Sequence, residues 1–447
     1  MVIPMKKSLA AIILIFSLGS EFILAQEKED KNFNPFSICL TGVNWPALHI
    51  FPAAALKEKL TACATTQIRA FTRWDASVKD YQYFPSRKIE SSRENVGEKP
   101  FQFTRQPDNY IEEFLQNEWK SCSLQTTVNK TKTQALIVIK DNSIVIEKYG
   151  KNYNESSIVT SFSVAKSIDS AIIGCLIDSG KIADVNQPVT DFLPELLKRD
   201  KSFSKITIKH LLTMSSGILY EEKLPRMDNT ETYFNPNLRN LALTNTLIKE
   251  EPGKHFLYNN YNPLLLGLII ERVTGESVSS YLSRSIWSKI GSESDASWSL
   301  DSNEDAFEKM ESGINALALD FARFGCLYRD GGMAGGKVVI SKKWINESLA
   351  EEKRPDDYLN ESWGKRIAKG VSEDGGYYGY FWYVIRRKNA ENDFFAFGNK
   401  GQVIYISPAS GLVCVRFGQK DGMPVWNYIS AFYNLASNTI NSHLKSF

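Results

Sequence analysis

The order of strand-like and helix-like segments predicts a mixed α/β fold of the α+β kind, with an antiparallel sheet flanked by helices and a mainly helical subdomain between early and late strands. Three observations carry this expectation. A strand pair stands early, at ALIVIKDNSIVIEKYG; helical periodicity fills the middle, from about 185 to 330; and short strand-like runs return near the end. Strands do not alternate with helices and no Gly-rich phosphate loop occurs, which disfavours a doubly wound nucleotide-binding fold.

The first residues read as an export signal, residues 1–25. Met5-Lys6-Lys7 is basic, Leu9 to Leu24 is almost wholly apolar, and QEKEDKN follows abruptly, so cleavage is expected near Ala25. Gly19, Ser20 and Glu21 leave the apolar stretch short for a membrane span, and it tethers the chain to a membrane only if it stays uncleaved. The expected location is therefore the periplasm or the extracellular space of a bacterium. Residues 26–130 are aromatic, polar and weakly periodic, and form an N-terminal extension with no assignable motif.

A second block, residues 131–440, carries the regular structure. Its early hairpin turns at Asp141-Asn142, with alternating β-branched residues on both sides. ITIKHLLTMSSGI, NPLLLGLIIERVTG, VSSYLSRSIWSKI and ALDFARFGCLYRDGG each show apolar residues at helical spacing with Gly near the end. EEKLPRMDNTETYFNPN, between the first two, reads as a long polar loop of the kind that covers clefts. YYGYFWYVIRR, NDFFAFGN, QVIYISP and LVCVRFG read as late strands, and VWNYISAFYNLASNTI as a closing helix.

Composition removes several function classes. With 53 basic and 51 acidic residues, interspersed along the chain, nothing points to nucleic acid as a partner. Six cysteines in an exported chain allow disulfides. Cys39, Cys63 and Cys122 lie in polar surroundings suited to a bridge, whereas Cys175, Cys326 and Cys414 sit in apolar segments and read as small buried hydrophobes. C-x-x-C and H-E-x-x-H are absent, so no metal and no other cofactor is expected.

Chemistry enters at Ser163-Val164-Ala165-Lys166. A hydroxyl is a poor nucleophile at neutral pH, so serine enzymes place a base within hydrogen-bond reach of it. Val164, Ile168, Ile172, Cys175 and Leu176 recur at helical spacing, with Thr160 or Ser161 placed to cap the helix and Gly180 to end it. Ser163 then falls in the first turn, where free amides and the helix dipole favour negative charge, and Lys166 stands on the same face. Burial there lowers a lysine's proton affinity, as a general base needs. The pattern alone is weak, since S-x-x-K recurs at Ser202/Lys205, Ser362/Lys365 and Ser442/Lys445. Those pairs sit in polar or terminal stretches; only Ser163 opens a long apolar helix after a hairpin.

Six blocks in order resemble the serine β-lactamase and penicillin-binding protein superfamily, and within it the class C β-lactamase-like esterases and 6-aminohexanoate-oligomer hydrolases. They are FSVAKS, ITIKHLLTMSSGI, PGKHFLYNNYNPLLLGLIIERVTG, LALDFARFG, GYFWYV and GNKGQVIYISP, covering roughly residues 130 to 435. The resemblance implies a β-lactamase/transpeptidase-like fold. It places the family's Tyr-x-Asn element on Tyr258-Asn259-Asn260, with Tyr258 as proton shuttle and Asn260 holding the lysine or the substrate amide. The third element, usually Lys-Thr-Gly or His-x-Gly on an edge strand, falls on Gly398-Asn399-Lys400-Gly401-Gln402. Its glycines permit close backbone approach, and the Asn399 amide would join that of Ser163 in an oxyanion hole. Lys400 would meet an anionic substrate only if its side chain enters the cleft.

Together these residues imply acyl transfer through a covalent intermediate on a small or peptide-like amide or ester. The missing Lys-Thr-Gly favours a general acyl hydrolase over a β-lactamase or D-Ala-D-Ala peptidase. A binding protein that keeps the fold without turnover is the alternative from another class. A Ser-His-Asp triad is disfavoured by four scattered histidines and the lack of G-x-S-x-G. His210 and His255 read as packing or hydrogen-bonding residues, and Tyr220, Tyr233 and Trp382 as candidate aromatic walls of the pocket.

Overall fold

The computed structural model describes residues 76–92, 100–222, 226–351, 371–372 and 374–445. The expected export signal, Cys39 and Cys63 lie outside the described residues. In chain order the strands are β1 (Ser86–Ile89), β2 (Thr104–Arg105), β3 (Thr133–Lys140), β4 (Ser143–Tyr149), β5 (Ile158–Thr160), β6 (Ala296–Ser299) and β7 (Ile314–Leu317). They continue with β8 (Met333–Ala334), β9 (Lys337–Val338), β10 (Gly376–Tyr378), β11 (Tyr383–Ile385), β12 (Asp393–Gly398), β13 (Gln402–Ser407) and β14 (Leu412–Gly418). The helices are α1 (Asn109–Glu118), α2 (Leu124–Lys130), α3 (Ala165–Asp178), α4 (Pro194–Arg199), α5 (Ile208–Leu212) and α6 (Asp228–Phe234). After them come α7 (Leu238–Thr244), α8 (Tyr261–Thr274), α9 (Val278–Ser285), α10 (Ala318–Arg329), α11 (Lys342–Ser348) and α12 (Val425–Lys445).

β3 and β4 form the early hairpin, with Asp141 at φ +52° in its turn. The late strands join it in one sheet of order β10-β11-β12-β13-β14-β3-β4-β2, antiparallel except for the short β2/β4 edge pair. β14 is buried along its whole length and β3 along all but its last residue, because helices cover both faces of the sheet centre. One face carries α10, which crosses β13, β14 and β3. The other carries α12 with α1 and α2, where Trp119 meets the rings of Tyr428 and Phe432 edge-on at 5.8 and 6.1 Å. A second sheet, β1-β6-β7-β5, is built from strands of three or four residues, too short to show alternation in the sequence.

α3 is buried from Ala165 to Leu176, packed among α8, α9 and α11, which explains its apolar character all round. Gly174 lets α11 approach, since a Cβ there would run into the Trp344 indole. The segment expected as a long polar loop instead contains α6. It lacks apolar periodicity because tertiary bonds hold it: the Asp228 carboxylate accepts from the Glu221 amide (2.8 Å), Arg226 Nε (2.8 Å) and the Tyr261 hydroxyl (2.8 Å). The ITIKHLLTMSSGI helix is also shorter than its pattern. α5 ends at Leu212, and Met214 turns the chain at φ +54°. Its start is capped by Thr207 and His210, so His210 serves the backbone as expected.

Cys122 is exposed and unbridged, and Cys175, Cys326 and Cys414 are buried free thiols. Burial pushes Cys175 and Cys326 up to about 12, so both pack as inert hydrophobes.

A Cβ built on Gly325 of α10 would lie 2.7 Å from Val413 Cγ1 and 3.0 Å from Ile404 Cγ2. Gly325→Val is therefore expected to push α10 off the sheet and destabilise the fold by about 1–3 kcal/mol, read as a lower urea midpoint.

Candidate active site

The Ser161–Val164 turn is assembled by the small sheet. β5 runs to Thr160, Ser161 pairs with Ile314 through its amide (2.8 Å), and its hydroxyl accepts from the Ile314 amide (3.1 Å). Neither Thr160 nor Ser161 caps α3 by its side chain, because both are committed to this pairing. Phe162 takes φ +43°, a left-handed conformation costly for a non-glycine residue, and Phe162–Val164 form a 3-10 turn. Ser163 thus stands one tight turn ahead of the α-helix rather than within its first turn.

Lys166 is 1 % exposed, and its Nζ donates to Ser163 Oγ at 2.9 Å and to the Glu311 carbonyl at 2.8 Å. The Tyr258 ring lies 5.0 Å from the same nitrogen. Tyr258 precedes α8 in a loop that Asn259 fastens. Asn259 Nδ2 donates to the Ile218 carbonyl (2.9 Å) and its Oδ1 accepts from the Tyr261 amide (2.8 Å).

Asn260 makes no bond to Lys166, the first of the two roles expected of it. Its Nδ2 donates to the Tyr220 hydroxyl (2.9 Å) and Thr232 Oγ1 (3.2 Å), while its buried Oδ1 accepts no bond. The lysine's second partner is a backbone carbonyl, a group that no side-chain pattern reveals.

Gly398 closes the site from the sheet. β11 pairs with β12 only at Asp393–Phe395, so residues 396–398 have β13 on one side and the Phe162–Val164 turn on the other. An interior strand becomes an edge locally, at the point where the site needs one. A Cβ on Gly398 would lie 2.5 Å from the Ser161 carbonyl oxygen and 3.0 Å from the Ser163 amide nitrogen, so only glycine fits. Asn399–Gly401 follow as a 3-10 turn with Lys400 at φ +63° and Gly401 at φ +74°. Asn399 is exposed and its Oδ1 accepts from the Lys400 amide (2.8 Å).

Of the aromatic candidates, Tyr233 stacks on Phe162 with centroids 6.5 Å apart and Tyr220 holds Asn260. Trp382 is a core residue, packed on Tyr328 at 4.5 Å and on Phe324 and Phe394, not a pocket wall.

One buried group escaped the sequence reading. Asp169, one turn beyond Lys166 on α3, is fully buried and neither carboxylate oxygen has a hydrogen-bond partner. Burial raises its pKa well above the usual carboxylate range, opposed by Lys166 and reinforced by Glu311.

The beta-lactamase family model matches residues 123–432. The 6-aminohexanoate-dimer hydrolase of Paenarthrobacter ureafaciens is 27% identical over 304 residues, which cover 66% of this chain and 74% of that protein. A solved structure from Bacillus anthracis, provisionally named a 6-aminohexanoate-dimer hydrolase, superposes with a TM-score of 0.65 at 23% identity, covering 84% of this chain and 95% of that one. A family VIII carboxylesterase has the same fold at a TM-score of 0.55 and 17% identity, covering 74% of this chain and 97% of that one. With the family model spanning most of the chain, and a serine-lysine pair at hydrogen-bond distance on the matched fold, the protein belongs to the beta-lactamase family and is a serine hydrolase.

Proposed function

We propose that this hydrolase cleaves a small linear amide or ester through an acyl-enzyme on Ser163. The observation that carries the reading is the 2.9 Å bond between Lys166 Nζ and Ser163 Oγ, with the Tyr258 ring on the same lysine. Lys166, coupled to Tyr258, takes the hydroxyl proton as Oγ attacks the carbonyl carbon. The Ser163 and Asn399 amides hold the oxyanion. Collapse breaks the amide or ester bond, and Tyr258 passes the proton to the departing amine or alcohol. Water then enters by the reverse route and releases the acid.

The residues before Gly398 are Ala396 and Phe397, so the strand itself carries no Lys-Thr-Gly, and the lysine of this element is Lys400 in the turn beyond it. The Paenarthrobacter relative, named for hydrolysis of a 6-aminohexanoate dimer, supports that substrate class. The apolar N-terminal segment supports an exported enzyme acting outside the cytoplasm. Rates on p-nitrophenyl esters, linear amides, a D-Ala-D-Ala peptide and a chromogenic cephalosporin separate the substrate classes; the reading expects the first two to lead and fails if the cephalosporin does.

Incubation with a fluorophosphonate should give one covalent adduct by intact mass, absent in Ser163→Ala; an unmodified wild type would sink the proposal. Lys166→Ala is expected to lower kcat by about 10²–10⁴-fold. Gly398→Ala should slow labelling by about 10²-fold through displacement of the nucleophile turn.

Asp169 also predicts a pH dependence. Above about pH 4 the unfolded chain ionises this group while the folded chain keeps its proton, so its presence costs stability as pH rises through that range. Asp169→Asn should therefore gain stability relative to wild type at pH 7, and the gain should shrink as pH falls toward 4. Urea melts at both pH values check it; a gain independent of pH would show that Asp169 is ionised in the fold.

A further inference from the structure

The turn after β12 is held from behind by two buried side chains with no part in the mechanism above. Gln402 Nε2 donates to the carbonyls of Asn399 (3.0 Å) and Gly418 (2.8 Å), and its Oε1 accepts from the Gly418 amide (2.8 Å). Arg416, fully buried on β14, sends Nη1 to the carbonyls of Lys400 (2.7 Å) and Gly401 (2.8 Å). Its Nη2 reaches the carbonyls of Thr131 (3.1 Å) and Lys420 (2.8 Å), and its Nε reaches Thr133 Oγ1 (3.1 Å). The guanidinium also lies 4.7 Å from the Tyr428 ring centroid. All three carbonyls of the Asn399–Gly401 turn therefore end on these two side chains.

Packing alone does not account for Arg416. None of its five hydrogen bonds goes to a carboxylate, and a buried cation without a bonded anion is expensive where an apolar side chain of similar volume would serve. What an apolar side chain cannot supply is a rigid fork of five donors. The chain makes room for that fork with two glycines: a Cβ at Gly401 or Gly418 would collide with the guanidinium. The backbone it grips is one that needs gripping, since Lys400 sits in the left-handed region. In a planar trans peptide a held carbonyl fixes the amide that follows it, so the three held carbonyls fix the Lys400, Gly401 and Gln402 amides directly, and the Asn399 amide through the Asn399 Cα to which the first held carbonyl is joined.

We propose that Arg416, assisted by Gln402, is a positioning residue for the reaction: by anchoring the three carbonyls of the turn it sets where the Asn399 amide stands relative to Ser163. This rests on the reading of that amide as an oxyanion donor. Neither side chain touches substrate.

Arg416→Lys keeps the charge and loses the fork, so it tests the geometry. The measurements are kcat and KM on a p-nitrophenyl ester, the rate of Ser163 phosphonylation by a fluorophosphonate, and a thermal melt. The clamp predicts KM within about twofold of wild type, with kcat and phosphonylation falling together by about 10²-fold, the scale of a displaced oxyanion donor. Leu412→Ala, at the far end of β14, should lower the melting temperature and leave both rates unchanged. A folded Arg416→Lys that reacts at wild-type rates, or that changes KM alone, overturns the clamp even if it melts early. Should that variant fail to fold, Gln402→Met, which removes no charge, decides by the same two rates. A wild-type chain that takes no phosphonyl group overturns the acyl-enzyme reading itself, whereas equal labelling of wild type and variants overturns only the clamp.

Discussion

The approach of Gly398 to the Ser161–Ser163 turn is the contact on which the site depends. It joins the large sheet to the helical layer at a strand end that lacks a neighbouring strand on its open side, and it leaves no room for a side chain. Everything else at the site is arranged around that distance. The small sheet fixes Ser161 by two bonds to Ile314, the left-handed Phe162 turns the chain, and Ser163 emerges between the two layers. The backbone strain at Phe162 is sustained because the residues on either side are already committed, to β7 before it and to α3 after it.

Buried polarity is the second theme. Lys166, Asp169 and Arg416 all sit out of water, where an unpaired charge is costly. Each meets that cost differently. Lys166 has the Ser163 hydroxyl, one carbonyl and an aromatic face. Arg416 fills every donor with neutral oxygens. Asp169 has no hydrogen-bond partner, and burial raises its pKa. Such groups detract from stability, and their concentration around one serine fits a site selected for chemistry rather than for packing.

Much of the fold was legible because long segments carry strong periods. The β3/β4 hairpin, α3, α8, α10, α12, β12, β13 and β14 lie where the pattern put them, whereas the run YYGYFWYVIRR, expected as one strand, divides into β10 and β11. The failures share one cause. α6 has no apolar stripe and exists because Asp228 finds Tyr261, Arg226 and a backbone amide. The strands of the small sheet are too short to show a period. Neither cap expected for α3 forms, because β5 runs up to Thr160 and engages both candidates. In each case a partner distant in sequence outweighed local propensity.

The sequence by itself determined that a serine and a lysine share one face at the start of a buried helix, since three-residue spacing and an apolar run suffice for that. Resemblance to the family, carried by six blocks in order, marked Tyr258 and the glycines from 398 onward. Tertiary structure alone decided the rest: that Lys166 leans on the Glu311 carbonyl and not on Asn260, that Gly398 abuts the Ser163 amide, and that Arg416 and Gln402 grip the turn beyond it. Those contacts use backbone carbonyls and amides, which every residue carries alike. A pattern of side chains therefore cannot announce them, and only the folded backbone selects which ones meet.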